Sequence, residues 1–192
     1  MSGLGYTIFD TSVGRCGIAW GDLGVLGVQL PEAREIETRR RLFQIFPDTR
    51  ELRPSPEIQG AIDGIAALLR GKAADFSGVQ LDMTDVRPFD GRVYDFTRTI
   101  PRGETLTYGE VAARLKASGA AHSVAQALSR NPFMLIVPCH RVLEAGGYAD
   151  RISPYGGSIS KRRLLSLEGA LSPGSKTLFD VLLPVAPPRP QG

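Results

Sequence analysis

The sequence predicts an α+β protein: a mixed α/β scaffold domain followed by a helical domain that contains a helix-turn-helix. Three observations lead there. The chain opens with short apolar runs divided by glycine turns. Helical periodicity with recognisable start and stop residues dominates its second half. Between two helical stretches stands Asn131–Val142, where an apolar run leads into Cys139, His140 and Arg141.

With 192 residues the chain is long enough for one large domain or two small ones, and its 42% apolar content is ordinary for a globular protein. No apolar run reaches the roughly eighteen residues of a membrane span. The first fifteen or so residues lack the basic start and apolar core of a secretory signal. Two cysteines, Cys16 and Cys139, make no disulfide framework and fit a reducing cytoplasm. With only two histidines besides, no metal-ligand cluster of the zinc type is expected. The net charge of +3 is spread unevenly, since residues 1–87 are net acidic and 88–170 net basic. A basic second half is a mild pointer to a polyanionic partner.

Gly5–Phe9, Cys16–Trp20 and Val25–Leu30 read as a three-stranded meander, with Trp20 in the core and Cys16 buried and inert. Glu32–Phe46 has helical composition, with Ile36 and Phe43 on one face and Arg39–Arg41 solvated. Ser55-Pro56-Glu57 starts a second helix: a capping hydroxyl, a proline in the first turn, and an acid favoured by the dipole. Ile58, Ile62, Ile65 and Leu69 follow at helical spacing, and Gly71 suits the stop. Val79–Met83 reads as a further short strand. Residues 1–84 are therefore expected to be the scaffold domain, joined through Asp85–Pro88 to a second domain over 85–170.

In that second domain Asp90 is placed to cap a helix running to Ile100, with Phe89 and Tyr94 as a hydrophobic staple, until Pro101-Arg102-Gly103 breaks it. Thr107-Tyr108-Gly109-Glu110 is a capping-box pattern, and Val111, Ala112 and Leu115 give its helix an apolar side. Ser118-Gly119 turns the chain into a short helix over Ala120–Ser129, rich in Ala120, Ala121, Ser123, Ala125 and Ala127. Two short helices about a glycine turn form a helix-turn-helix candidate, and a small-residue helix can approach a polynucleotide backbone closely. A small helix packed in a core would give the same pattern. Ser158–Glu168 reads as the last helix, with Ile159, Leu164, Leu165 and Leu167 inward and Gly169 at its end. Residues 171–192, rich in proline, are expected to be a loosely held tail.

Asn131-Pro132 signals a turn. Phe133–Val137 is long enough for one buried strand, and Pro138 ends it by removing a ladder donor. A lone cysteine beside an apolar run is more often a structural thiol than a nucleophile. Here the imidazole and guanidinium that follow are groups that favour its anion. An unperturbed thiol is only a few per cent ionised at neutral pH, so attack on an alkyl carbon needs such help. On an extended backbone Cys139 and His140 would point to opposite sides, so contact between them requires a sharp turn or a bridging water.

The string Pro138-Cys139-His140-Arg141-Val142 resembles the active-site signature of the O6-alkylguanine-DNA alkyltransferases, and the likeness extends over most of 89–169. The resemblance implies a ribonuclease H-like roll for the N-terminal domain and a winged helix-turn-helix for the C-terminal one. It implies direct reversal of DNA damage: the protein flips O6-alkylguanine, and also O4-alkylthymine, out of the duplex, and Cys139 takes the alkyl group once and irreversibly. It implies double-stranded DNA as partner, no membrane, no cofactor and a monomer. The reactive relay it implies is thiol, water, His140 and Glu168; a solvated helix-end carboxylate is the plainer reading of Glu168, although an acid there is slightly unfavourable. Tyr108 would assist nucleotide rotation and protonate the leaving guanine, and Asn131 would hold the turn. Carbonyls of Cys139 and Val142, with Tyr155, Gly156, Gly157 and Lys161, would bind the base. DNA would meet Ala121, His122, Ser123, Gln126, Arg130 and Arg141, the last of which would also form structural hydrogen bonds.

The sequence departs from the family pattern at several points. His122 stands where an arginine finger is expected, and an imidazole is shorter and mostly uncharged. The loop after Cys139 is about two residues longer, which puts Pro154 and Tyr155 where a tyrosine and a small polar residue belong. Val93-Tyr94 replaces a common valine-tryptophan pair. These changes leave open a sensor that flips and flags the base without reacting, although such proteins lack the cysteine. An unrelated thiol hydrolase would need a histidine distant in sequence, and His122 is the only other one.

Overall fold

The computed structural model describes residues 3–146 and 161–170. Its N-terminal half is a four-stranded sheet with two helices. Strands β1 (Gly5–Thr11), β2 (Gly14–Gly21) and β3 (Gly24–Gln29) form the expected meander. β4 (Arg50–Glu51) then adds a parallel edge beside β1, giving the order β3-β2-β1-β4. Nothing in the composition around Arg50 announces that strand; it exists because Arg50 and Leu52 donate to Leu4 and Tyr6 carbonyls across the edge. The turns at Gly14 and Gly24 have φ of 128° and 127°, which only glycine adopts without strain.

Helix α1 (Glu35–Ile45) packs on β2 and β3, but not by the face expected. Thr38 and Leu42 turn inward, while Ile36 and Phe43 are 57% and 52% exposed. Thr38 is held there because its hydroxyl accepts from the Glu32 backbone N–H. Helix α2 (Pro56–Leu69) follows the sequence reading closely: Ser55 accepts from Ile58 N–H, and Ile58, Ile62, Ile65 and Leu69 are buried. The stretch Val79–Met83 makes no strand; only a single bridge between Leu81 and Val25 survives.

Helix α3 (Pro88–Thr97) starts earlier and ends earlier than predicted. Its N-cap is Arg87 and lacks a side-chain bond, because Asp90 lies within the first turn and is held by the Arg130 guanidinium. Three residues before Pro101 the helix has already given way to turns. Helices α4 (Tyr108–Arg114) and α5 (Ala121–Ser129) follow and pack on each other. The capping box of Thr107 and Glu110 is complete, and Gly119 takes the turn at φ 84°. Val124, Ala127 and Leu128 of α5 face inward, and the buried Tyr94 hydroxyl donates to the Ala127 carbonyl. Val93 and Tyr94 are both core residues.

Phe133–Val137 is buried throughout but is not one strand. Leu135 has φ 71°, Met134 bridges to Val137, and the Val137 N–H returns to the Phe133 carbonyl, so the run folds back on itself. Its first residues are held by the sheet: the Val28 N–H donates to the Pro132 carbonyl at 2.8 Å. One continuous apolar core joins Ile18, Val28 and Ile65 to Val111, Val124 and Phe133. After the motif, β6 (Val142–Leu143) pairs in parallel with β5 (Leu106–Thr107), and α6 (Lys161–Glu168) closes the described chain. The far half of the Glu144–Gly157 loop, the first residues of the predicted last helix with Ile159, and the tail lie outside the described residues. Among the described residues no helix is long and apolar enough to cross a membrane.

Candidate active site

Asn131 sets the local geometry. Its carboxamide is fully buried; Oδ1 accepts from the Phe133 N–H at 2.9 Å and Nδ2 donates to the Val137 carbonyl at 3.1 Å. That clamp ties both ends of the folded apolar run and delivers the chain to Pro138. Cys139–Arg141 then form a single 3-10 turn. This is the sharp turn that adjacent reactive residues require, and it brings His140 and Arg141 onto the end of α6.

His140 is 1% exposed and its Nε2 lies 2.9 Å from Glu168 Oε1. Arg141 grips the same carboxylate twice, Nε to Oε2 at 2.9 Å and Nη2 to Oε1 at 2.8 Å, while its Nη1 donates to the Ile100 carbonyl. Glu168 is thus a buried partner of two side chains and not a solvated helix end. Burial works to raise its pKa, but the hydrogen bonds from His140 and Arg141 overcome that and hold the carboxyl at about 2. Burial lowers the His140 pKa below its ordinary value, against the pull of Glu168. The imidazole is therefore neutral, with Nε2–H donating to the carboxylate. Nδ1 is left as a buried acceptor with no partner among the described residues.

The thiol corrects one expectation. Cys139 is 1% exposed, and burial pushes its pKa up, not down. The Lys161 charge, the Asn131 side chain and the backbone N–H groups of Cys139 and His140 all favour the anion but do not overcome burial. Burial therefore works against the anion at this sulfur, and the groups around it offset that only in part. Its sulfur lies 3.7 Å from the Met134 thioether, a contact the sequence reading did not single out.

Lys161 bridges the outer wall. Its Nζ donates to the Tyr108 hydroxyl at 3.1 Å and to the Val142 carbonyl at 3.0 Å, and lies 5.4 Å from the Tyr108 ring centre. Tyr108 belongs to α4, so this contact joins that helix to the cysteine turn. Beside it runs a groove of about 500 Å³ lined by Tyr108, Ala121, His122, Gln126 and Glu144 among others. His122, Ser123 and Gln126 are exposed on the outer face of α5, with His122 Nε2 and Gln126 Nε2 2.9 Å apart. Arg130 is partly exposed but already paired with Asp90. Arg141 is not on that face at all; it is 9% exposed and committed to Glu168 and Ile100, so it offers no guanidinium to a phosphate. Pro154, Tyr155, Gly156 and Gly157 lie outside the described residues.

The site thus holds a buried thiol, followed in the chain by an imidazole hydrogen-bonded to a buried carboxylate, with α4 and α5 packed alongside. Comparison with known proteins agrees. Residues 88–170 match the family of the 6-O-methylguanine DNA methyltransferase DNA binding domain. A methylated-DNA–protein-cysteine methyltransferase of Methanothermobacter thermautotrophicus is 40% identical over 153 residues, covering 80% of this chain and 78% of that one. The structure of the Mycobacterium tuberculosis O6-methylguanine methyltransferase superposes with a TM-score of 0.66 at 34% identity, over 92% of this chain and 99% of that one. A Mycobacterium tuberculosis structure in complex with DNA gives 0.65 at 31% identity, over 86% and 92%. The chain belongs to the methylated-DNA–protein-cysteine methyltransferase family.

Proposed function

We infer that this chain repairs DNA by moving the alkyl group of O6-alkylguanine onto Cys139, one group per molecule, after the damaged nucleotide has been flipped out of the duplex. O4-alkylthymine is a second substrate of the same reading. The observation that carries it is the buried Cys139 thiol followed by a buried His140 whose Nδ1 has no partner among the described residues and whose Nε2 is bound to Glu168. The Cys139 proton passes through a water to Nδ1, and the imidazolium formed is stabilised by the Glu168 carboxylate. The thiolate pair forms the S–C bond as the C–O6 bond breaks toward the base. Guanine takes a proton from the Tyr108 hydroxyl, which Lys161 holds by hydrogen bond, and Tyr108 regains one from solvent while the imidazolium releases one. Proton loss at sulfur and proton gain at the base balance.

DNA lies along α5, with His122 entering the space left by the flipped base and Ala121, Ser123 and Gln126 beside the backbone. Binding of this kind is driven by phosphates and weakens with salt. The same reading takes residues 1–84 as a ribonuclease H-like roll that supports the cysteine turn from β3. It takes 85–170 as a winged helix-turn-helix domain and the cytoplasm as the compartment. A base-flipping sensor would bind without reacting; Cys139 and its relay argue for transfer. The test is incubation with a duplex carrying labelled O6-methylguanine. One methyl group on the peptide containing Cys139 supports the reading, and bound DNA without a mass gain refutes it in favour of the sensor.

A further inference from the structure

Glu168 is tied to the turn between α3 and α4 along two routes. The first runs through its side chain, which Arg141 grips while also donating to the Ile100 carbonyl. The second runs through the backbone. Arg102, two residues beyond Ile100, donates Nη2 to the Leu167 carbonyl at 3.0 Å, and the same nitrogen also donates to the Gly71 carbonyl. Leu167 directly precedes Glu168, and Gly71 follows the end of α2. The two helix ends abut: a Cβ on Gly71 would lie 3.3 Å from the Leu167 oxygen, and one on Gly103 would lie 3.7 Å from the Glu168 oxygen. Both glycines have positive φ, 76° and 84°, which strains any other residue, and at Gly71 the approach is also tight.

Terminal carbonyls of a helix have no partner within it and carry its negative dipole end. An acid in the last turn, such as Glu168, is disfavoured there. A guanidinium on the preceding carbonyl offsets this and fixes the last turn in space. Arg102 does so for α6 and for the chain leaving α2 at once, although it is itself exposed.

We propose that Arg102 is a positioning residue for alkyl transfer: by clasping the Leu167 and Gly71 carbonyls it holds the Glu168 carboxylate at the place where it orients His140. Through this clasp the N-terminal half acts on the reaction centre without touching DNA. The proposal rests on the relay described under the proposed function.

The test is a cycle in the full chain comparing wild type, Arg102→Met, Arg102→Lys, His140→Gln and the double variant Arg102→Met/His140→Gln. It measures the rate of methyl transfer from an O6-methylguanine duplex and the affinity for undamaged duplex. Arg102→Met is expected to slow transfer roughly threefold to tenfold, to flatten its pH profile and to leave DNA affinity unchanged. Arg102→Lys should restore most of the rate. In the His140→Gln background the Arg102 change should have no further effect, since the clasp acts through the imidazole. Equal additional slowing in that background, or full activity of Arg102→Met with only a lowered melting temperature, overturns the proposal and leaves a plain helix cap. Full activity of His140→Gln would instead overturn the relay itself.

Discussion

Cys16 lies in the middle of β2 and Cys139 opens the 3-10 turn, and the two are buried alike, at 0% and 1% exposure. Burial raises the pKa of both. Exposure therefore does not distinguish the sulfur proposed to react from the other one. Around Cys16 the polar company is the Thr11 hydroxyl at 3.9 Å, which leaves the thiol at about 12. Around Cys139 converge the Lys161 charge, the Asn131 amide and two backbone N–H groups, with a neutral imidazole next in sequence. What makes a buried thiol usable is somewhere for its proton to go and partners that stabilise the charge left behind.

The largest expected effect breaks this comparison outright. Cys139→Ala should reduce methyl uptake from one group per chain to none while DNA binding persists. Cys16→Ala should keep full uptake. Peptide mass mapping decides it, and a methyl group found on Cys16 would end the distinction drawn here.

The next effect concerns the proton's destination. Glu168→Gln should slow transfer by roughly 10²–10⁴-fold. It should also lower stability by about 3–5 kcal/mol, because Arg141 is left buried with a neutral partner. Single-turnover kinetics and denaturant melts separate the two. A normal rate in a folded Glu168→Gln protein would show that the carboxylate serves structure alone.

pH sharpens the contrast in both directions. Glu168 sits at about 2 when folded against an ordinary 4.5, so its contribution to stability is present above 4.5 and lost as pH falls toward 2. His140 is held neutral by burial, so the unfolded chain binds its proton first and stability starts to fall as pH drops through 6.5. Both thiols are raised, so each favours the folded state below 9.0 and loses that contribution as pH climbs through its unfolded value. Cys16→Val should flatten only the alkaline limb, and Glu168→Gln only the acid one. Denaturation midpoints across pH 3–10 would show otherwise if the two variants behaved alike.

The smallest effect compares the two capped helices. Ser55→Ala and Thr107→Ala each remove a cap and should cost about 1 kcal/mol. The first should leave transfer untouched. The second should also slow it several-fold, because Tyr108 is the first residue of the helix that Thr107 caps. Equal rates in both variants would mean that α4 is rigid without its cap.

Much of this was legible from sequence where the signal is local. The meander, the Ser55 and Thr107 caps and the two short helices α4 and α5 follow from turn residues, hydroxyls and apolar spacing that act within a few residues. The misreadings are tertiary. Ile36 and Phe43 have helical spacing, yet Thr38 faces the sheet because its hydroxyl has a partner at Glu32. Asp90 looks like a cap, yet Arg130 draws it into the first turn. Phe133–Val137 reads as a strand by composition, but Asn131 closes it into a loop by bonding both ends.

By itself the sequence determined the order and type of the residues proposed to carry the chemistry: a thiol and an imidazole adjacent in the chain, an acid at a helix end, and a tyrosine after a capping threonine. Those are covalent facts of order and type. Only the tertiary structure decided their states. Burial moves the thiol pKa up and the imidazole pKa down, and the hydrogen bonds from His140 and Arg141 outweigh the burial that would raise the Glu168 carboxyl. The reason is that a pKa is set by desolvation and by charges brought close through folding, and neither exists until distant segments meet.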